Sequence, residues 1–253
     1  MNYAICTVAA APVRKENAHR SEMVNQLLFG ERMEVLEEKE EWFRIRSLYD
    51  GYEGWLTSHL ITTIEAAWAE EPVRLVASGL INPLTLPDQL VNIPMGSELT
   101  GYDEETRLLW NGQYKYHGTV RDIKRGYDAD LFRKIIHAWM NAPYLWGGKT
   151  MMGVDCSGFV QTIFKLMGIQ LKRDAWQQAE QGSETNLDQS KEGDLGFFCN
   201  EKGRVTHVGI IVGGAEIVHA SGKVRRDRLD EKGIVNRDNN KRTHTLYSIR
   251  RFF

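Results

Sequence analysis

The residues best suited to covalent chemistry are one cysteine and two histidines in the C-terminal half of the chain. Cys156 follows Asp155, a residue type that commonly caps helices, and precedes apolar positions at helical spacing. The first turn of a helix has unpaired N–H groups and the positive end of the helix dipole, so we expect Cys156 to be stabilised as a thiolate. A thiolate held in this way is a nucleophile for acyl transfer.

A cysteine nucleophile needs a base, and His207 and His219 flank the Gly213-Gly214 turn between two strand patterns. A three-residue loop would place the two histidines directly opposite each other, about 5 Å apart on one face, whereas a two-residue loop would not. We expect His207 to take the thiol proton and His219 to orient the His207 ring. The other five histidines, among them His244, are expected to be structural.

Other interpretations of these residues are weaker. Cys156 could be an inert buried thiol, since free cysteine is among the most buried residue types, but its position at a helix start favours reactivity. One cysteine and two histidines could bind zinc, yet the usual paired-ligand spacings are missing, so no metal or cofactor is predicted. Gly147-Gly148 lacks the Gly-Lys-Ser/Thr sequence of a phosphate loop. Cys6 and Cys199 lie in strand patterns and are assigned to packing.

The N-terminal half that must position these groups reads as β-structure. Residues 29–55 alternate apolar and polar positions around an Asp50-Gly51 turn, which indicates a small antiparallel module. The pattern recurs further along the chain, where Gly96 matches Gly30 and an Asn-Gly pair at 111–112 supplies the hairpin, so we predict two duplicated barrels. The acidic segment 63–72, which ends in proline, is the predicted junction between them.

The pattern changes after Val120. Asp128 can cap a helix that Pro143 is expected to end, and a second helix runs from Cys156 to Gly168. Short strands follow at 193–198, 207–212 and 216–220. We therefore predict an α+β fold in which residues 1–64 and 65–125 form the two barrels and residues 126–253 form a domain of helices followed by an antiparallel sheet.

Composition excludes several classes of protein. The 253 residues are 42% hydrophobic and 26% charged with a net charge of -2, which is typical of a soluble globular protein and provides no basic surface for nucleic acid. No run approaches the roughly 18 apolar residues that span a membrane, so no membrane insertion is predicted. Three distant cysteines and a poor signal-peptide pattern favour the cytoplasm, or a periplasmic or secreted location if a leader has been removed. A monomer is compatible with the sequence, which does not decide the oligomeric state.

The order of motifs in the C-terminal part resembles the NlpC-type (p-sixty) cell-wall cysteine peptidases. The motifs are YLWGG at 144–148, DCSGFV at 155–160, GDLGFF at 193–198, HVGI at 207–210 and VHA at 218–220. The resemblance implies a minimal papain-like fold with Cys156, His207 and His219 as the catalytic triad. It also implies that the preceding modules are bacterial SH3-like barrels.

The three-part layout is similar to that of endopeptidases that cut between γ-D-glutamate and an L-diamino acid in short peptidoglycan-derived peptides. This resemblance implies that Tyr144 and Ser157 lie beside the oxyanion and that Trp146 forms a wall of the groove. It further implies that Asp155, Arg173, Asp174 and Glu53 belong to the substrate site, with Asp174 and Glu53 binding a free N-terminal ammonium. Ala175 stands where relatives commonly have serine, so one hydroxyl contact with substrate is expected to be absent.

Two other functions remain open from the sequence. The protein could be a peptidoglycan-peptide binding protein whose papain-like domain is inactive, although all three triad positions are occupied. It could also be an amidase or acyltransferase that uses the same nucleophile on another amide or ester. Identification of reaction products distinguishes these from a γ-D-glutamyl endopeptidase.

Overall fold

The N-terminal SH3-like unit is an antiparallel sheet of seven strands in the computed structural model, which describes residues 2–253. Its strands are β1 (Asn2–Cys6), β2 (Ala10–Arg14), β3 (Met23–Leu28), β4 (Arg32–Lys39), β5 (Trp42–Ser47), β6 (Glu53–Thr57) and β7 (Ile61–Ile64). The predicted Asp50-Gly51 turn joins β5 to β6, and Gly51 has a φ of +78°, which favours glycine. Alternate residues of the strands fill a core that includes Cys6, as predicted.

A second β unit follows the short helix α1 (Ala66–Glu70), which lies within the predicted junction. Its strands are β8 (Leu75–Ala77), β9 (Ile81–Thr85), β10 (Leu90–Pro94), β11 (Lys115–Tyr116) and β12 (Val120–Asp122). They form one sheet of three strands and one of two. Gly96 and Gly30 both have positive φ, and Phe29 of the first unit packs into the core of the second.

Three helices precede the sheet of the C-terminal domain: α2 (Ala129–Trp139), α3 (Cys156–Leu166) and α4 (Ala175–Gln178), with a small hairpin of β13 (Lys149–Thr150) and β14 (Gly153–Val154) between the first two. The side chain of Asp128 accepts a hydrogen bond from Leu131 N, which confirms the predicted cap. The helix α2 ends before Pro143, because Asn141 adopts a positive φ and donates its N–H to Val224. Within residues 2–253, no helix combines the length and apolar character needed to cross a bilayer.

The antiparallel sheet of this domain closes on itself. Its strands are β15 (Ser183–Thr185), β16 (Leu195–Cys199), β17 (Val205–Gly213), β18 (Glu216–Ser221), β19 (Lys223–Asp230), β20 (Gly233–Val235) and β21 (Arg242–Arg251). The order is β15-β21-β16-β17-β18-β19-β20, and β20 also pairs with β21, so a barrel results with β15 on its edge. The helix α3 is buried along its whole length and packs against β17 and β18. The sheet thereby holds the N-terminus of α3 beside the middle of β17.

A buried interdomain ion cluster connects the three parts of the chain. Glu31, from the N-terminal unit, accepts hydrogen bonds from Lys149 and Lys165 of the C-terminal domain at 2.9–3.0 Å. Lys165 also binds Glu98 of the second β unit at 2.9 Å, and Glu98 lies 3.3 Å from Arg32. Since all five side chains are nearly excluded from solvent, each charge depends on partners from another unit.

Candidate active site

Cys156 is the first residue of α3, and the sequence places it there through a local cap. The side chain of Asp155 accepts a hydrogen bond from Gly158 N at 2.7 Å, as a helix-capping aspartate does. Gly158 allows the preceding loop to lie against α3, because a Cβ at this position would stand 2.3 Å from the carbonyl oxygen of Gly148. Cys156 is 6% exposed and lines a cleft of about 680 Å³, so its sulfur is buried in the protein but borders open space.

Arg173 holds this cap in place instead of facing substrate. Its guanidinium forms a two-point ion pair with Asp155, at 2.6 and 3.0 Å, and donates to Ser157 Oγ and to Asn25 of the N-terminal unit. Arg173 is 1% exposed and does not line the cleft. The N–H donors of Arg173 are used within the protein, so its predicted place in the substrate site is one of support for Asp155 and Ser157. Asp155 borders the cleft, but both of its carboxylate oxygens already accept hydrogen bonds from groups of the protein.

His207 and His219 come together on β17 and β18, although they are not directly opposite as expected. The loop between the strands has two residues, Gly214 and Ala215, with φ of +61° and +58°. The register pairs Ile210 with Val218, so the position facing His219 is Gly209.

A β-bulge and a glycine restore the contact between the histidines. The bulge lies between Ile211 and Gly213; without its extra residue, His219 would shift by one position and point to the other face of the sheet. A Cβ at Gly209 would stand 2.9 Å from that of His219, so the missing side chain leaves room for the ring. His219 Nδ1 then lies 2.8 Å from His207 Nε2, with the rings nearly perpendicular.

An aspartate on β19 extends this pair into a hydrogen-bonded chain. Asp227 Oδ2 lies 3.0 Å from His219 Nε2, and both residues are 1% exposed. Arg225 donates to both oxygens of Asp227, and the N–H of Arg237 donates to Oδ1. These four donors hold the pKa of Asp227 well below its usual value despite its burial. A buried carboxylate therefore lies at the end of the chain remote from Cys156.

Burial opposes the expected ionisation of Cys156. Burial raises the pKa of the Cys156 thiol to about 12, and the charge of Asp155 adds to this, while the N–H groups of Val208 and Ser157 and the charge of Arg173 act in the opposite direction. The helix start thus lowers the cost of a thiolate without overcoming desolvation. Burial and the neighbouring imidazoles His244 and His219 likewise place the pKa of His207 well below its usual value.

Burial thus disfavours charge on both the Cys156 thiol and the His207 imidazole, and transfer of the thiol proton is expected to accompany attack. Within residues 2–253, no hydrogen bond joins Cys156 Sγ to the His207 ring, a common situation before substrate binds. The N–H of Val208, the next residue along β17, points toward the sulfur and lowers its pKa. His207 Nδ1 is the ring nitrogen left for the thiol, since Nε2 faces His219.

His244 joins the histidines, although it was expected to be structural. Its ring stacks on His207 at 4.1 Å with an interplanar angle of 25°, and nitrogens of His207, His219 and His244 lie within 4.8 Å of one another. The His207 ring is engaged on two sides, since it stacks on His244 and its Nε2 is hydrogen-bonded to His219 Nδ1. The arrangement is therefore suited to hydrogen bonding and stacking.

The walls of the cleft come from two domains. The C-terminal domain contributes Trp146, Asp174, Ala175 and Trp176, together with Asn200, Arg204, Val205 and Thr206 from the loop before His207 and the start of β17. The N-terminal unit contributes Lys15, Glu22, Val24, Tyr52 and Glu53. The unit is anchored there by the contact of Asn25 with Arg173 and by a 2.8 Å hydrogen bond from Gln161 to Asp50.

The predicted substrate residues differ in how free they are. Asp174 is half-buried, and burial raises its pKa, so it is a carboxylate that would gain from a cation. Glu53 lies in the same cleft but is paired with Arg44 and Arg46 at 2.8–2.9 Å. Trp146 is 58% exposed and donates to Glu22 at 2.7 Å.

Two further predicted residues lie close to the sulfur. Burial raises the pKa of the Tyr144 hydroxyl, and the charges of Cys156 and Asp155 add to this, which places Tyr144 near the nucleophile. The N–H of Ser157 points toward the sulfur, whereas the Ser157 hydroxyl is bound to Arg173.

Comparison with known proteins agrees with this geometry. Residues 141–243 match the NlpC/P60 family, and residues 13–61 match the bacterial dipeptidyl-peptidase SH3 domain. Residues 141–243 of the chain form a cysteine peptidase domain of the NlpC/P60 type. The predicted α+β class, with a papain-like domain behind SH3-like modules, is confirmed.

Named NlpC/P60 relatives span most of the chain. A γ-D-glutamyl-L-lysine dipeptidyl-peptidase of Bacillus subtilis (strain 168) is 29% identical over 210 residues, covering 77% of this chain and 71% of its own. Dipeptidyl-peptidase 6 of Lysinibacillus sphaericus is 25% identical over 92% of this chain and 93% of its own. The crystal structure of an NlpC/P60 family protein from Bacillus cereus ATCC 10987 aligns over 99% of both chains, with a TM-score of 0.84 at 21% identity, and so shares the fold.

Three features of this NlpC/P60 site were missed from the sequence. Asp227 belongs to a charged strand, RRDRLD, whose alternation gave no sign that one acid faces inward. Tyr52 was not predicted to belong to the site, yet it lines the cleft, where burial and the nearby charge of Asp174 raise its pKa to about 12. His244 arrives from the last strand, and no spacing rule links it to His207.

Proposed function

We propose that this chain is an endopeptidase that hydrolyses the γ-D-glutamyl-L-diamino acid bond of short peptidoglycan stem peptides with a free N-terminal L-alanine. The observation that carries the proposal is the position of Cys156 in a cleft closed on one side by the N-terminal unit, with the half-buried carboxylate of Asp174 also in that cleft. The names of the curated relatives, which include γ-D-glutamyl-L-lysine dipeptidyl-peptidases, support this bond specificity. A role in murein peptide recycling or turnover follows from such a substrate.

The reaction begins at Cys156, where burial disfavours the free thiolate. As Sγ attacks the γ-carbonyl carbon of D-glutamate, Nδ1 of His207 takes the thiol proton. The carbonyl oxygen becomes an oxyanion near the N-terminus of α3, where N–H groups such as that of Ser157 stabilise negative charge.

Collapse of this intermediate breaks the C–N bond. Protonated His207 gives its proton to the departing amine of the diamino acid, and a thioester of L-Ala-γ-D-Glu remains on Cys156. His207 then takes a proton from water, the resulting hydroxide attacks the thioester, and the dipeptide leaves with a new carboxylate while the thiol is restored.

Recognition of the N-terminal ammonium is assigned mainly to Asp174. An ammonium placed beside a half-buried carboxylate forms a charge-assisted hydrogen bond and relieves the cost of burying that charge. Glu53 contributes less than predicted, because Arg44 and Arg46 already neutralise it. N-acetylation of the alanine should therefore raise KM strongly, and acetylated and free peptides cut at equal rates would contradict this part.

The N-terminal unit also limits the length of substrate. Lys15, Glu22 and Glu53 form a wall next to Cys156, and the unit is fixed by the buried contact of Asn25 with Arg173. A strand of intact glycan would have to pass this wall, so soluble fragments are the proposed substrates. Release of peptide from intact sacculi at the rate seen with free tripeptide would contradict this.

The decisive experiment uses the tripeptides L-Ala-γ-D-Glu-meso-diaminopimelate and L-Ala-γ-D-Glu-L-Lys with mass spectrometry of the products. We expect L-Ala-D-Glu from the wild type and from a Cys199→Ala control, whose thiol lies outside the cleft, and none from Cys156→Ala. Tight binding without product would favour a peptide-binding protein, and a different product would favour an amidase or acyltransferase. Three free thiols suit a cytoplasmic location, which cell fractionation tests.

A further inference from the structure

Asp227 has no assigned role, yet it lies at the end of the hydrogen-bonded chain that reaches the base of the reaction. The chain runs from His207 through His219 to Asp227, with N···N and N···O separations of 2.8 and 3.0 Å. We propose that Asp227 is a positioning residue that sets the tautomer of both histidines and thereby keeps the lone pair of His207 Nδ1 available to Cys156. This inference rests on the proposed attack by Cys156 with His207 as base.

The proton positions follow from what each group can do. An ionised carboxylate only accepts hydrogen bonds, so His219 Nε2 must carry a proton toward Asp227. In a neutral His219, Nδ1 is then an acceptor, and His207 Nε2 must donate to it across 2.8 Å. His207 Nδ1 is left unprotonated, as a base requires.

Asp227 is fixed in the accepting role by its other partners. Oδ1 accepts from Arg225 Nη2 and from the N–H of Arg237, and Oδ2 accepts from Arg225 Nε as well as from His219. A guanidinium and a backbone N–H can only donate, so three of these four partners cannot reverse. His219 is the one partner that can exchange donor for acceptor by changing tautomer.

Replacing Asp227 with asparagine would therefore reverse the chain. The new NH2 group must occupy one of the two oxygen positions, and the Oδ1 position faces two groups that only donate. At the Oδ2 position the NH2 group faces Arg225 Nε, which only donates, and His219 Nε2. His219 can become the acceptor by changing its tautomer. His219 would then carry its proton on Nδ1, His207 would accept on Nε2 and carry its proton on Nδ1, and no lone pair would face the thiol.

Alanine at the same position makes a different prediction. It removes the acceptor without supplying a donor, so His219 is free to adopt either tautomer. A purely structural role predicts that the isosteric substitution Asp227→Asn is milder than Asp227→Ala. The tautomer role predicts the reverse order of activities.

The test combines kinetics with histidine ¹⁵N NMR, which reads the tautomer directly and needs no substrate. In wild-type protein we expect His219, assigned by comparison with His219→Gln, to be protonated on Nε2; in Asp227→Asn we expect protonation on Nδ1. The same variant should lose about 10²–10⁴-fold in kcat on the tripeptide, the usual contribution of a general base, with KM little changed. Asp227→Ala should lose less than Asp227→Asn.

Asp238→Asn is the matched control, because Asp238 is an exposed second partner of Arg225 that does not contact His219. Its kcat and its histidine spectrum should match the wild type. A wild-type His219 protonated on Nδ1, or an Asp227→Ala variant as impaired as Asp227→Asn, overturns the proposal. If the wild type cleaves no tripeptide, the proposed function fails while the NMR measurement still decides the tautomer.

Discussion

Replacing Glu31 with glutamine should destabilise the protein even though Glu31 is remote from the chemistry. Glu31 is 0% exposed and accepts hydrogen bonds from Lys149, Lys165 and the N–H of Leu28. Glutamine keeps the size but removes the negative charge. Lys165 retains Glu98, while Lys149 loses the carboxylate that neutralises it. One buried ammonium group, that of Lys149, would then have no carboxylate partner.

The size of the effect follows from the pKa of Glu31. Burial alone would raise it, but Lys149 and Lys165 outweigh burial and lower it from 4.5 to about 2. At 1.36 kcal/mol per pKa unit, the charged form is stabilised by about 3 kcal/mol in the folded state, near the lower end of the cost of breaking a buried ion pair. For a chain of this length, that corresponds to a fall in melting temperature of about 6–12 °C.

The stabilisation of the folded protein by Glu31 depends on pH, and the lowered pKa gives the direction of that dependence. Because the folded pKa is below the unfolded value of 4.5, the stabilisation is fully present above about pH 5 and is lost as the pH falls toward 2. The difference in melting temperature between wild type and Glu31→Gln, measured by circular dichroism, should therefore shrink below pH 5. Glu37→Gln, an exposed position on β4, the strand that begins directly after Glu31, is the control and should melt like the wild type. Equal melting of Glu31→Gln and the wild type at pH 7, or a difference that stays constant down to pH 3, would refute the reasoning.

Three further predictions concern the active site. Gly209→Ala should lower kcat by about 10–100-fold, because the new Cβ displaces His219 from its contact with His207. An unchanged kcat would show that the contact between His219 and His207 does not depend on the space at Gly209. The acid limb of kcat/KM against pH should lie well below 6.5, since the lowered pKa of His207 keeps the base neutral to lower pH, and half-maximal activity at or above pH 6.5 would contradict this. Trp146→Phe should raise KM about fivefold through loss of the hydrogen bond to Glu22 without changing the melting temperature, which kinetics and calorimetry check together.

The register of one hairpin shows how narrowly sequence reasoning can fail. A two-residue loop was expected not to place the catalytic histidines opposite each other, and the structure has such a loop at Gly214 and Ala215. The bulge before Gly213 restores the common face, and Gly209 leaves space for a diagonal contact. Neither feature is visible as periodicity, because a bulge changes the register without changing the residue pattern.

The pairing of the charged residues could not be predicted from the sequence either. Arg173 and Asp155 were both predicted to belong to the substrate site from their places in family motifs, but they form an ion pair with each other. Glu31 and Lys149 are more than one hundred positions apart, and their pairing depends on the packing of two separate units. Burial raises the pKa of Cys156 more than its position at the helix start lowers it, and burial is a property of the assembled domain.

The sequence by itself determined the features that depend on near neighbours. The Asp155 cap, the start of α3 at Cys156, the Asp128 cap and the glycine turns all follow from residues within a few positions of one another, where backbone hydrogen bonds and φ preferences decide. The tertiary structure alone decided which charges face each other, how Asp227 reaches His219, and which unit forms the wall of the cleft. Those outcomes depend on strand register and on domain packing, where a shift of one residue reverses a face and a buried charge is stable only beside its partner.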